Sequence, residues 1–194
     1  MSNSNNWPTW LPLREPLKPM SPYGAPQVAA SAQLNTNENP FAPSAALIAA
    51  ITKRVAEVSA TLNRYPDRDA IALRVGLAKY ITAQTGVSFD VANLWAANGS
   101  NEIIQSIFLA FGRESALGFT PSYSMHPLIA KVTSVNWSDG KRRDDHSLDV
   151  AVAAQQVLTA KPTLTFITTP NNPTGSVVKI YEIIELAKAT ASVG

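Results

Sequence analysis

Three short segments hold residue types that bind ligands when they sit at strand ends. The first is Asn98-Gly99-Ser100-Asn101-Glu102. A glycine that lets the backbone turn tightly, a hydroxyl at Ser100 and the open amides of a following helix make a phosphate-binding arrangement. The same residues suit an ordinary helix cap, with Asn or Ser capping and Glu102 in the first turn; on spacing alone the cap is the better account. The second segment is Pro121-Ser122-Tyr123, where an aromatic ring can lie flat on a planar ligand. Taken alone, Tyr123 reads more simply as a surface or core tyrosine. His126, three residues on, has no carboxylate near it in sequence to orient it, so it reads as a half-buried structural histidine rather than a base. The third segment, Pro170-Asn171-Asn172-Pro173-Thr174-Gly175, is the most specific. Two prolines and a glycine flank paired amides at the end of a buried strand. Asparagines held rigidly there can donate to a phenolate-like oxygen without adding charge. A tight turn between strand and helix uses the same residue types.

Composition removes several other chemistries. The 194 residues include no cysteine and only two histidines, His126 and His146, which excludes thiol catalysis, a disulfide framework and a His- or Cys-rich metal site. No G-x-G-x-x-G or G-x-x-x-x-G-K-[ST] occurs, so dinucleotide and P-loop readings are weak. Sixteen Lys and Arg against fourteen Asp and Glu give +2, too balanced for a nucleic-acid or anionic-membrane binder held mainly by charge. Charged residues make up 15%, against about 25% typically, which implies a large buried area or a sizeable partner surface. The longest apolar run, Ala45 to Ile51, is far short of a membrane span. The opening Met-Ser-Asn-Ser-Asn-Asn has neither a basic nor an apolar region, so no signal peptide is expected and the chain reads as soluble and cytoplasmic.

The elements that must position these loops follow from periodicity. Eight of the fourteen prolines fall within the first 43 residues, which rules out a long helix or central strand there. Trp7, Trp10, Leu11, Leu13, Leu17, Tyr23 and Phe41 give that stretch too much apolar surface for a solvated linker; it reads as an extended arm lying on its own body or on a second subunit. Leu47, Ile51, Val55, Val58 and Leu62 mark one face of a helix capped by Ser44. A second helix is expected from about Asp69 to Gln84, ended by Gly86. Strands are expected at 94–97, 116–119, 132–137 and 163–168, with helices over 103–111 and 150–158, the latter capped by Asp149, and a last helix holding Ile180, Ile183, Ile184 and Ala187. Alternating strands and helices imply βαβ units around a mostly parallel sheet, whose ligands sit beyond the carboxyl ends of the strands. Loops 98–102, 120–123 and 169–175 occupy that position. By this rhythm another strand should follow Ala191-Ser192-Val193-Gly194.

Thr168-Thr169-Pro170-Asn171-Asn172-Pro173-Thr174-Gly175 resembles the N-P-T-G signature of fold-type I, pyridoxal-phosphate-dependent aminotransferases. Leu34-Asn35-Thr36-Asn37-Glu38-Asn39-Pro40, Asn63-Arg64-Tyr65-Pro66-Asp67, Ala97-Asn98-Gly99-Ser100-Asn101-Glu102 and Pro121-Ser122-Tyr123-Ser124-Met125 are similar to segments of the histidinol-phosphate aminotransferase branch. Pro22-Tyr23-Gly24-Ala25-Pro26 and Trp95 to Glu102 look most like its actinobacterial members. The resemblance runs from about residue 11 to 194. It implies a three-layer αβα large domain with a mostly parallel sheet, of which residues 44–194 are the first part, preceded by an arm over residues 1–43. It further implies pyridoxal 5'-phosphate as cofactor and a homodimer that transaminates L-histidinol phosphate, with 2-oxoglutarate/glutamate as the second keto/amino pair, in histidine biosynthesis. Carried over by position, the turn at Ser100 and Asn101 holds the cofactor phosphate, Tyr123 stacks on the pyridine ring and Asn172 hydrogen-bonds its 3′ oxygen. Tyr65 reaches the phosphate in the other subunit, while Tyr23, Glu38 and Asn39 close over the substrate. Many members have Asp where Asn101 stands and Tyr where His126 stands.

Three parts of that pattern, all of which come after N-P-T-G in the family, are not in this sequence: an Asp-Glu-Ala-Tyr aspartate for the pyridine nitrogen, the later Schiff-base lysine, and the later substrate-binding arginine. Residue 194 falls just before the first of these is expected. Lys141 and Lys179 each stand three residues after a serine, but none of the eight lysines follows such an aspartate as the family's lysine does, so the chain taken by itself is expected not to transaminate. The alternatives are a related fold-type I enzyme, such as an aromatic aminotransferase or threonine-phosphate decarboxylase, and a non-catalytic truncated protomer.

Overall fold

A computed structural model describes residues 8, 10–21, 24, 29–32 and 34–193. Tyr23 and most of the Pro22–Pro26 segment lie outside the described residues. The chain divides into two compact units, one built from Ser21–Ala96 and the other from Met1–Met20 with Ala97–Gly194.

In the Ser21–Ala96 unit, the Ser44 hydroxyl accepts from Leu47 N at 3.2 Å and starts helix α1, Ala45–Ser59. The expected apolar stripe is present but open: Leu47, Ile51 and Val55 are each about half exposed. Helix α2, Ile71–Thr85, starts where the Asp67 carboxylate accepts from the amides of Asp69 and Ile71. Gly86 ends it at φ +71°, its amide donating to Thr82 O, as the sequence indicates. Arg74 of α2 donates to the carbonyls of Leu94 and Val91 and so fastens the following segment to the helix.

That segment corrects one expectation. Residues 94–97 form no strand; a 3-10 turn at Val91–Asn93, capped by Asp90, leads into extended but unpaired chain. Apolar content made 94–97 read as a strand, but a strand needs a neighbour for its amides, and no described segment pairs with it.

The second unit contains the sheet. Strands β1 (Ser115–Thr120), β2 (Asn136–Lys141) and β3 (Leu164–Phe166) run parallel in the order β2-β1-β3. Residues 116–119 of β1 are all buried, as a central parallel strand covered on both faces requires. Leu117 and Phe119 pack on one side with Leu148, Val157, Val178 and Leu186, beneath helices α5 (Val150–Ala160) and α6 (Ile180–Ala191). Ala116 faces the other side with Phe108, Ile129, Ala130 and Val135, beneath α3 (Ser100–Phe111) and α4 (Met125–Val132). The result is a three-layer αβα arrangement. Gly118 is required by a close approach: a Cβ there would lie 2.5 Å from the Trp137 indole.

Strand β3 is shorter than the expected 163–168, and two further boundaries differ around β2. Val132 closes helix α4 instead of opening a strand, and the strand begins four residues later at Asn136. Buried Val135 anchors the turn between them. The Asp149 carboxylate caps α5, accepting from Val152 N at 3.1 Å, as the sequence indicates. Arg14 donates to Val132 O and Ser134 Oγ, which ties the described chain around it to the end of α4 in its own unit.

Candidate active site

Because the strands are parallel, the segments after β1 and β3 emerge at the same end of the sheet. After β1 the chain runs through Pro121 and Ser122 to Tyr123; after β3 it runs through Thr168 to the 170–175 turn. Ser122 Oγ donates to Asn171 Oδ1 at 2.8 Å and lies 3.3 Å from Thr168 Oγ1. Asn171 Nδ2 donates to Pro121 O at 2.9 Å and to Thr174 Oγ1 at 2.8 Å. Its amide donates to Ser176 O, and its carbonyl accepts from Gly175 N. Asn171 is 2% exposed, with every polar group engaged. Asn172, next to it, is half-buried.

The α3 N-terminus lies in the same unit. Gly99 is its N-cap at φ +84°, a left-handed value that favours glycine, and no side chain caps the helix. Half of the ordinary-cap reading therefore holds: Glu102 Oε2 accepts from Asn98 N at 2.6 Å, but neither Asn98 nor Ser100 caps the first turn. Ser100 and Asn101 are exposed, at the positive end of the helix dipole. Tyr123 Oη donates to Asn101 Oδ1 at 2.9 Å, which joins two of the three loops.

His126 is buried, not half-buried. Its ring centroid lies 4.8 Å from that of Phe166, 6.0 Å from Trp137 and 5.5 Å from Tyr123, the last edge-on. Burial lowers its pKa from the ordinary imidazole value, so the neutral ring is favoured. It braces Tyr123 from within the aromatic cluster.

Tyr65, Glu38 and Asn39 belong to the Ser21–Ala96 unit. The Tyr65 ring is fully exposed. Asn39 Oδ1 accepts from Phe41 N at 3.0 Å, and Glu38 is exposed. Among the described residues, no group of three or more His, Cys, Asp or Glu is arranged to hold a metal ion.

The sequence model of the aminotransferase class I and II family matches residues 31–193. The chain belongs to that family. It is 51% identical over 181 residues to the histidinol-phosphate aminotransferase of Mycobacterium sp. strain KMS, covering 92% of this chain and 48% of that protein. The chain thus spans about half the length of the curated relatives it matches. In fold it is similar to a putative histidinol-phosphate aminotransferase from Erwinia carotovora, with a TM-score of 0.65 and 21% identity over 89% of this chain and 48% of the other. Cystalysin from Treponema denticola, whose crystal structure contains pyridoxal 5'-phosphate, gives a TM-score of 0.64 at 14% identity over 79% of this chain and 39% of the other.

In this aminotransferase chain the residues that sequence reasoning missed are those that fix the loops. Ser122, Thr168, Thr174 and Ser176 are small hydroxyl residues of kinds found in any turn; only the fold brings Ser122, Thr174 and the Ser176 carbonyl to one buried asparagine, with Thr168 joined through Ser122. Arg142, just past β2, was missed too. It donates to Phe119 O, His146 O and Ser176 Oγ, and burial lowers its pKa from the ordinary guanidinium value.

Proposed function

We propose that these residues are the N-terminal part of a pyridoxal-phosphate-dependent histidinol-phosphate aminotransferase, which passes the amino group of L-histidinol phosphate to 2-oxoglutarate to give glutamate, and the reverse. The observation that carries this reading is the 51% identity to proteins of that name across 92% of the chain. The site chemistry supports it. The family's cofactor presents an anion, a flat aromatic ring and a phenolic oxygen, and the residues here suit all three. A helix start without a side-chain cap suits the anion, Tyr123 suits the ring, and an uncharged amide at Asn172 suits the oxygen.

Pyridoxal phosphate, when bound, supplies the electron sink for chemistry at the carbon that bears the amino group. The protein's part is to bind, orient and set protonation. The amides at Ser100 and Asn101 hold the phosphate without a counter-cation from either side chain. Tyr123 limits tilt of the ring, and His126 and Asn101 fix Tyr123. A hydrogen bond from Asn172 to the 3′ oxygen stabilises that oxygen as an anion. Tyr65 serves the phosphate site of a second copy, consistent with its full exposure, so the working unit is a homodimer. Tyr23, Glu38 and Asn39 close over the substrate. In the complete subunit, residues 1–43 form the arm and residues 44–194 the first part of the cofactor-binding domain. The lysine that carries the cofactor and the arginine that holds the substrate's acidic group lie beyond residue 194, so residues 1–194 by themselves do not transaminate. No described helix is long and apolar enough to cross a membrane.

The test is glutamate formation by the complete protein from 2-oxoglutarate with L-histidinol phosphate, an aromatic amino acid or threonine phosphate as the other reactant. The proposal requires the largest kcat/KM with histidinol phosphate. A larger value for an aromatic amino acid, or release of carbon dioxide from threonine phosphate, overturns it.

A further inference from the structure

The paired asparagines of the turn after β3 sit in different environments, and the difference divides their labour. Asn171 points inward and uses all its polar groups on two segments: Pro121 and Ser122 from the loop after β1, and Thr174, Gly175 and Ser176 within its own turn. A buried amide so engaged is costly to disturb, since removing it strands several partners at once. Those partners flank the two ligand-facing residues of the proposed site. Ser122 immediately precedes Tyr123, and Asn171 immediately precedes Asn172. The Ser122–Asn171 hydrogen bond spans 49 residues of sequence, so it fixes the relative placement of two segments that the chain itself does not hold together.

We infer that Asn171, with Ser122 as its partner, is a positioning residue that sets the spacing between the Tyr123 ring and the Asn172 amide. This rests on the proposed cofactor reading, and it adds a coupling: disturbing the Asn171 link should alter what Asn172 does, although Asn172 itself is intact. Ser122 supplies the gentler lesion, because its hydroxyl can be removed with little change in volume, and Ser122→Thr retains the hydroxyl.

The experiment uses the complete protein, with pyridoxal phosphate as the probe. Two quantities are read: the dissociation constant of the cofactor from the apoprotein, and the pH midpoint of the bound cofactor's absorbance, which responds to the hydrogen bond at the 3′ oxygen. Asn172→Ala sets the size and sign of the second signal. The inference expects Ser122→Ala and Asn171→Ala to weaken cofactor binding, by about tenfold for the loss of one buried hydrogen bond, and to move the absorbance midpoint in the same direction as Asn172→Ala. Ser122→Thr should restore most of both. If Ser122→Ala lowers the melting temperature but leaves affinity and midpoint at wild-type values, the link is structural only and the inference falls. If Asn171→Ala fails to fold, the Ser122 pair decides. A wild-type protein that binds no pyridoxal phosphate overturns the cofactor reading and this inference together; a normal wild-type spectrum with unresponsive variants overturns this inference alone.

Discussion

The Tyr123 hydroxyl donates to Asn101 Oδ1 at 2.9 Å, linking the loop after β1 to the first turn of α3. At its other side the Tyr123 ring meets His126 edge-on, 5.5 Å between centroids. The ring is thus fixed at its polar tip and along its body, which is what a stacking surface for a planar ligand needs. Asn101 acts here through its side chain as well as its position on the helix.

This double hold separates two substitutions. Tyr123→Phe keeps the ring and loses the tie to Asn101, so cofactor affinity in the complete protein should fall by a few-fold to tenfold, about 0.5–1.5 kcal/mol. Tyr123→Ala loses the stacking surface too and should cost distinctly more. Equilibrium binding of pyridoxal phosphate to the apoprotein measures both. Equal affinities for the two variants would mean the ring contributes nothing.

Two glycines are irreplaceable for different reasons. Alanine at Gly118 would press on the Trp137 indole, an overpacking that costs about 1–3 kcal/mol. Alanine at Gly99 has open space around it but must hold φ +84° with ψ 170°, a region essentially only glycine occupies, at a cost of about 1–3 kcal/mol. Both should lower the melting temperature. Only Gly99→Ala should also weaken the cofactor, because it strains the phosphate turn.

Burial of His126 gives stability a defined pH dependence. Its folded pKa is lowered, so below the ordinary imidazole value near 6.5 the unfolded chain takes up a proton that the folded chain resists. The stabilisation is fully present above that pH and is lost as the pH falls through it. Melting temperatures of the complete protein from pH 8 to pH 5 should therefore decline towards acid, and His126→Phe should flatten part of that decline. An identical profile for the variant would show that His126 is protonated as readily in the folded protein.

Tyr65 is fully exposed within its own unit, so Tyr65→Phe should change stability by no more than about 0.5 kcal/mol. If it serves the cofactor of a second copy, the variant should still lose pyridoxal phosphate faster on dialysis. Retention equal to wild type would remove it from the site.

Much of the fold was legible because strong local signals agreed with tertiary packing. Ser44 and Asp149 cap the helices they precede, Gly86 ends α2, and 116–119 is buried strand. The misplaced start of β2 has a plain physical cause. Strand β2 is Asn-Trp-Ser-Asp-Gly-Lys, a sequence with almost no apolar alternation, and it lies at the side of β1 away from β3. The β-branched residues just before it belong instead to the end of α4 and its turn. At the site, the three loops were legible from turn chemistry, but the different surroundings of Asn171 and Asn172 were not. Burial of one and not the other depends on Pro121 and Ser122, about fifty residues away in sequence. The placement of His126 among Phe166, Trp137 and Tyr123 is likewise a product of the sheet rather than of its neighbours in the chain.

The central claim is that residues 1–194 grip the cofactor while a lysine elsewhere in the complete protein carries it. Borohydride reduction of the complete protein as its host makes it, followed by peptide mapping, tests this most directly, because reduction fixes the cofactor to the amine that holds it. The account predicts one labelled peptide, containing none of Lys18, Lys53, Lys79, Lys131, Lys141, Lys161, Lys179 or Lys188. A label on any of these eight, or no label on a protein of full length, would contradict it.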